Sequence, residues 1–178
     1  MTLFLLIASA LGSLWVVSHY WNAGKQKTDN VTWTAFTPDD NLNILNSMTQ
    51  DIRGARQTIY IMAKQLTSLE LMHALLDART RRVTIYVILD SQQQRVYNYL
   101  MENGFTSTQV YLDPSPINSQ YMIIDQSLLI VGTVPFSSQG QREVGDVEFT
   151  KDPARVQSYT DTFGTRVKAL AGLTGRQQ

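Results

Sequence analysis

The stretch that most constrains the fold is a strand, a helix and a second strand between residues 57 and 90. Residues 57–63 are rich in Ile and Tyr and predict a buried strand, and residues 83–89, VTIYVIL, give the clearest strand pattern of the chain. Between them, Thr67 and Glu70 have the spacing of a capping box, and an apolar stripe with small alanines follows. Strand, helix and strand at this spacing form a βαβ unit, which requires parallel strands and a right-handed crossover.

The rest of the chain supplies further elements around this unit. We predict helices that start at Thr37-Pro38, at Asp90-Ser91 and at Asp152-Pro153, because each start carries a capping residue. The remaining strands are predicted at residues 109–112, 121–124, 128–131 and 144–149, the middle two forming a hairpin. The predicted fold class is α/β, with a mixed, largely parallel sheet flanked by helices on both faces and preceded by one N-terminal membrane helix.

The membrane helix is predicted from residues 3–21, LFLLIASALGSLWVVSHYW, which carry no acidic or basic side chain except His19. About 20 such residues span a hydrocarbon core. A cleaved signal peptide is the alternative, but no Lys or Arg precedes the apolar run. We therefore predict a membrane anchor at residues 1–24, a linker at 25–36, one domain at 37–172 and a flexible tail at 173–178.

Composition narrows the possible functions. The 178 residues leave room for one domain of ordinary size, since domains cluster at about 100–150 residues. Fifteen basic and fifteen acidic residues balance, so no global positive field is present to drive sequence-independent binding of nucleic acid. The absence of cysteine excludes disulfides, thiolate metal sites and a cysteine nucleophile. The sequence has no metal-ligand cluster and no Gly-rich phosphate loop, so we predict no cofactor and no metal.

The chemistry-bearing motif lies in residues 117–138, INSQYMIIDQSLLIVGTVPFSS. Asn118 and Gln120 are followed by four mostly apolar residues, Asp125, an apolar strand and a Gly-Thr pair at 132–133. This arrangement resembles the signature of the phospholipase D superfamily, HxKxxxxD followed by a strand and Gly-Ser or Gly-Thr. Asn118 stands at the His position and Gln120 at the Lys position, so two of the three reactive positions have changed chemistry.

The resemblance implies a defined reaction for the intact motif. In the family the His attacks phosphorus and holds it covalently, a second His protonates the leaving oxygen, and the Lys neutralises the phosphoryl charge. Such an attacking group needs an available lone pair, and an acid needs a proton that it can release near neutral pH. The amide of Asn118 does not titrate, and Gln120 lacks the fixed positive charge. We therefore predict a pseudoenzyme with no catalytic residue, in which Asn118, Gln120 and Asp125 mark a degenerate motif.

The resemblance extends over residues 35–170. Residues 58–90 resemble the first half of the family's domain, with Arg82 where the family usually has Gly. After the motif, residues 134–136 replace the usual aromatic-Asn-aromatic run. The family also has an acidic residue soon after the motif, for which the nearest acids here are Glu143, Asp146 and Glu148.

Three functional classes follow. The first is a membrane-anchored, catalytically inactive phospholipase D-like protein that acts as a structural or interaction subunit of a bacterial envelope assembly. Small members of the family accompany conjugative or type IV secretion genes, so the resemblance makes such machinery the expected setting. The alternative is a phosphodiesterase or nuclease with a non-standard site built from residues such as His73, Asp125 or Glu143, although His73 itself fits a surface or half-buried helix position. A third class, binding of phosphate-bearing lipid or nucleic acid without cleavage, is limited by the missing Lys and the neutral net charge.

Partners and location follow from the same features. We expect membrane contact through the N-terminal helix, and a homodimer or protein partners in an envelope complex, because single-motif relatives pair two identical chains to complete their site. Nucleic acid is not an expected partner, and no small-molecule substrate is expected. The predicted location is the bacterial inner membrane with a single pass. Lys25 and Lys27 favour a cytoplasmic domain under the positive-inside rule, whereas the family resemblance favours a periplasmic one.

Overall fold

A computed structural model describes the structure of residues 32–37, 44–137 and 144–174. These residues belong to one compact unit, Val31–Gln178. Its strands are β1 (Thr32–Thr37), β2 (Thr58–Ala63), β3 (Thr84–Asp90), β4 (Val110–Asp113), β5 (Gln120–Ile124), β6 (Leu128–Gly132) and β7 (Gly145–Thr150). Its helices are α1 (Ile44–Gly54), α2 (Leu69–Thr80), α3 (Gln94–Glu102) and α4 (Pro153–Thr174).

The strands form one mixed sheet in the order β1-β7-β6-β5-β2-β3-β4. β2 pairs in parallel with β3, and β3 with β4, which confirms the predicted βαβ unit. All other pairings are antiparallel, so the prediction of a largely parallel sheet was wrong. The reason is connection length: a parallel pair needs a crossover of a dozen or more residues, whereas β5 and β6 are joined by a tight turn that permits only antiparallel pairing.

Helices cover both faces of the sheet, as predicted. The period-2 alternation of each strand divides the apolar residues between two cores. In β2, Ile59 and Ile61 face the core beneath α1, α2 and α3. The intervening Tyr60 and Met62 face the other core, where α4 is the helix that packs against the sheet. The residues of β3 and β5 alternate between the two cores in the same way. Three helices therefore cover one face of the sheet, and α4 covers the other.

The linker predicted at residues 25–36 was wrong at its end, because Thr32–Thr37 form the edge strand β1. β1 pairs antiparallel with β7, and the ring of Trp33 stacks on Phe149 with centroids 4.0 Å apart. The domain therefore includes β1 and begins before residue 37. At the other end, the tail predicted from residue 173 also begins too early, because α4 continues to Thr174.

Two helix starts differ from the sequence prediction. The N-cap of α2 is Ser68 rather than Thr67, and its hydroxyl accepts a hydrogen bond from the N–H of Leu71 at 3.3 Å. α3 begins at Gln94 rather than at Asp90, since Asp90 ends β3. Residues 38–43, where a helix start was predicted, lie outside the described residues, and α1 is seen from Ile44.

None of the described helices combines the length and apolar character that a membrane span requires. The segment predicted as the membrane anchor, residues 3–21, lies outside the described residues.

Candidate functional site

Asn118 and Gln120, the motif's His and Lys positions, lie at the edge of the sheet where β2 and β3 end and β5 begins. Met62 pairs with Tyr121, which brings the end of β2 beside the start of β5. β3 lies on the other side of β2 and ends at Asp90. Ligands of open α/β sheets bind outside the carboxyl ends of the parallel strands. This edge is therefore the candidate site.

Asn118 is exposed in the loop between β4 and β5. Two carboxylates hold this loop in place. Asp113 accepts a hydrogen bond from the N–H of Ser115 at 2.8 Å, and Asp90 accepts one from the N–H of Ile117 at 3.3 Å. The Asn118 side chain itself makes no hydrogen bond within the described residues. Its amide can therefore both donate to and accept from a ligand.

Gln120 is buried at the start of β5, only 3% exposed. Its side-chain oxygen accepts a hydrogen bond from the N–H of Gln65 at 3.4 Å, and its nitrogen donates to the carbonyl of Thr133 at 3.5 Å. The amide thus ties the loop after β2 to the end of β6. A lysine at this position could replace the donor but not the acceptor, because an ammonium group has no acceptor.

Asp125 lies at the opposite end of β5, about 13–17 Å from Gln120 at about 3.3 Å per strand residue. Its carboxylate accepts hydrogen bonds from three successive backbone N–H groups, those of Arg56, Gln57 and Thr58, at 2.8–3.2 Å. Burial acts to raise the pKa of Asp125, but these donors and the Arg56 charge outweigh it and hold the pKa below its ordinary value. Asp125 therefore anchors the β5–β6 turn and does not meet the other motif positions.

The Gly-Thr pair of the motif is explained by close packing of β6 against β7. A Cβ on Gly132 would lie 2.1 Å from the carbonyl oxygen of Asp146, so only glycine fits without movement. The hydroxyl of Thr133 donates to the Asp146 carboxylate at 3.2 Å, and the N–H of Asp146 donates to that hydroxyl at 3.3 Å. Of the acids that follow the motif within the described residues, Asp146 is thus the one bonded to the Gly-Thr pair.

Several polar side chains at this edge were not predicted as site residues. A cleft of about 370 Å³ is lined by Lys64, Asp90, Gln92, Gln93 and Asn118, among others. Lys64 follows β2 directly and the two glutamines follow β3, which is the signal in the sequence that could have identified them. The helix start predicted at Asp90-Ser91 instead placed the amide-rich run from Gln92 within a helix. Its position after a buried parallel strand decides its role.

A second cleft, of about 800 Å³, lies between α4 and the loop between β4 and β5. Arg166 of α4 donates to both carboxylate oxygens of Asp113 and to the hydroxyl of Ser115 at 2.9 Å. Burial acts to raise the pKa of Asp113. The hydrogen bonds from Arg166 and Ser115, together with the Arg166 charge, outweigh burial and hold the pKa below its ordinary value. Helix and loop are therefore held together by a bidentate ion pair.

Tyr121 lines the same cleft and is 3% exposed. Its buried hydroxyl has no hydrogen-bond partner within the part of the chain that the structure describes. Burial, together with the nearby Tyr159, raises the pKa of this hydroxyl, so it stays a protonated donor at neutral pH.

Comparison with known families gives the identity of this fold. The family described as "Cardiolipin synthase, PLD-like domain" matches residues 48–166. The chain belongs to the phospholipase D superfamily. Among curated proteins, it is 26% identical over 152 residues to "Phospholipase D" of Rickettsia prowazekii, covering 83% of this chain and 73% of the relative.

Two solved structures have the same fold. NucT from Helicobacter pylori matches with a TM-score of 0.68 at 17% identity, over 78% of this chain and 96% of that one. Nuc from Salmonella typhimurium, a phospholipase D family member, matches with a TM-score of 0.66 at 19% identity, over 76% and 93% of the two chains. The predicted resemblance to the phospholipase D superfamily is confirmed.

The residues considered for a non-standard phospholipase D site do not converge. His73 is exposed on α2 and does not line either cleft at the candidate site. Asp125 lies at the far end of β5, and Glu143 falls outside the described residues. Within residues 32–37, 44–137 and 144–174, no group of three or more His, Asp or Glu side chains is placed to hold a metal ion.

Proposed function

We propose that this phospholipase D-like protein binds a partner and does not cleave phosphodiesters. It would act as a membrane-anchored structural or interaction subunit of a bacterial envelope assembly. The observation that carries this proposal is the environment of Gln120. Its neutral amide occupies the motif's lysine position and has hydrogen-bond partners at both ends.

The chemistry of the site supports the proposal. Asn118 offers an amide where the motif has its nucleophile, and an amide neither attacks phosphorus nor exchanges a proton near neutral pH. The backbone N–H of Gln65 needs an acceptor, which glutamine supplies and lysine does not. The surroundings of position 120 are therefore suited to the residue that is present.

The setting that we propose is a conjugative or type IV secretion assembly, with the apolar residues 3–21 as the membrane anchor. A subunit with no substrate to turn over contributes by holding its partners in place. A homodimer of this chain is one such arrangement, and analytical ultracentrifugation over a concentration series tests it. A sedimentation coefficient that stays monomeric at all concentrations would exclude the homodimer.

The main test is a turnover assay on the purified full-length chain with bis(p-nitrophenyl) phosphate and with single-stranded DNA. We expect no hydrolysis above that of the matched Asn118→Ala, Gln120→Ala variant. The Asn118→His, Gln120→Lys variant restores the motif's reactive groups in the same scaffold and serves as the gain-of-function comparison. Hydrolysis by the unmodified chain that falls on changing Asn118 to Ala would overturn the proposal.

A phosphodiesterase is the second candidate, because the Rickettsia prowazekii relative that matches 83% of this chain is named "Phospholipase D". Under that function the unmodified chain turns over substrate. The same assay on His73→Ala and Asp125→Asn then shows whether either residue participates.

A further inference from the structure

The two clefts at the candidate site adjoin each other. Both are lined by Pro116, Ile117 and Asn118, so these loop residues form the ridge between them. Their volumes, about 800 and about 370 Å³, exceed what one side chain fills and suit a chain of several residues. We call the two clefts together the ridge groove.

The two parts of the ridge groove differ in chemistry. The larger cleft has apolar walls from Met62, Tyr121, Tyr159 and Ala169, with Ser and Thr hydroxyls between them. The smaller cleft is lined by amides, notably Gln92, Gln93 and Asn118. An apolar part of a ligand therefore fits beside α4, and a part that both donates and accepts hydrogen bonds fits beside β3.

The charges of the ridge groove leave no positive excess. Asp113 and Arg166 form an ion pair in the larger cleft, which Asp161 also lines. In the smaller cleft Lys64 is offset by Asp90, whose carboxylate accepts from the N–H groups of Gln92 and Ile117. A polyanion would find no excess of positive charge here, and it would face amide oxygens that need donors.

A peptide main chain matches this lining, because each peptide unit carries one donor and one acceptor and no charge. An amide side chain carries the same pair of functions, so Gln92 and Asn118 can bond a main-chain N–H and C=O together. In the larger cleft, Tyr121 adds a largely buried aromatic side chain to the apolar wall.

We propose that the ridge groove binds an uncharged, extended peptide segment of a partner protein, with an apolar side chain in the larger cleft and main-chain amides bonded in the smaller one. This inference rests on the proposed function, since it names the partner chemistry of a site that binds without cleaving. Peptide binding and phosphodiester turnover are measured separately, so the failure of one is distinguishable from the failure of the other.

The test is selection of phage-displayed random peptides of about 12 residues on the full-length chain, since about 12 extended residues span roughly 40 Å. The selected peptides are then synthesised and their Kd is measured by fluorescence anisotropy. We expect them to lack net charge and to share an apolar residue. Ala169→Trp, which fills the larger cleft, should weaken binding about tenfold or more, as loss of a central contact does.

The matched control is Ala171→Trp, because Ala171 is exposed on the same helix and does not line either cleft. It should leave Kd within about twofold, as changes outside an interface do. Asn118→Ala should weaken binding by removing a donor and an acceptor at the ridge. Selection of charged peptides, equal Kd for both tryptophan variants, or displacement of the peptides by a single-stranded oligonucleotide would each overturn the proposal.

Discussion

The side-chain oxygen of Gln120 accepts a hydrogen bond from the backbone N–H of Gln65, which joins the first residue of β5 to the loop after β2. The same amide donates to the carbonyl of Thr133 at the end of β6. One neutral side chain therefore links three segments that border the candidate site. At the motif's lysine position, this chain has a neutral, hydrogen-bonded amide instead of a positive charge. We call this amide a structural tie.

The first prediction concerns this tie. Gln120→Lys should lower the free energy of unfolding by about 1–3 kcal/mol, because it leaves the Gln65 N–H without an acceptor and places a charge at a buried position. Urea unfolding followed by circular dichroism measures the change. Gln126→Lys makes the same substitution at an exposed turn residue and should be nearly neutral. Equal midpoints for the two variants would show that the amide is not a structural tie.

A second prediction separates Asp125 from the candidate site. Asn tolerates the φ of 50° observed at position 125. The Asp125→Asn substitution therefore removes only the negative charge of the carboxylate, which accepts hydrogen bonds from three backbone N–H groups. We expect a loss of about 1–2 kcal/mol of stability, because bonds to a charged acceptor are the stronger ones. Asp77→Asn, at an exposed position on α2, is the control and should change little. Peptide affinity at the ridge groove should be unchanged by both substitutions.

The third prediction is a pH dependence that involves Asp113. Its pKa in the folded protein is below the ordinary value of 3.8. The stabilisation is therefore fully present above that value and is lost as pH falls through the folded-state pKa. Between about pH 7 and about pH 3, the unmodified chain should lose more stability than Asp113→Asn, which has no carboxylate at that position to titrate. Parallel curves of unfolding free energy against pH for the two proteins would contradict this assignment.

A fourth prediction tests the contact between β6 and β7. Gly132→Ala should destabilise the domain by about 1–3 kcal/mol or more, because the new Cβ would overlap the carbonyl of Asp146. Gly164→Ala is the matched control, since Gly164 lies within α4 with open space around it. That change should stabilise the helix by roughly 0.5–1 kcal/mol. Thermal unfolding of both variants measures the two opposite shifts.

Local patterns predicted much of the fold correctly. The alternation in residues 57–63 and the apolar run in residues 83–89 gave β2 and β3, because burial on a sheet imposes its own period on a sequence. The Asn103-Gly104 pair also fits the end of α3 at Glu102, since Gly104 has the positive φ that glycine tolerates. β1 was missed because its short mixed sequence has no clear pattern of its own, and pairing with β7 is what makes it a strand.

Part of the site could be predicted in the same way. The loss of the motif's reactive groups was visible at Asn118 and Gln120, because the residue type alone shows which functional group a side chain carries. The role of Gln65 was not visible. Its backbone N–H reaches Gln120 through the pairing of β2 with β5, two strands that are far apart in the sequence.

The sequence by itself determined the family, the βαβ unit and the chemical nature of the degenerate motif, since these depend on residue types and spacings along the chain. The tertiary structure decided the direction of the remaining strands, the separation of Asp125 from Gln120 and the adjoining of the two clefts at Asn118. These features arise from strand pairings and helix packing between distant segments. Such contacts are fixed by the packing of the whole domain, and no local pattern records them.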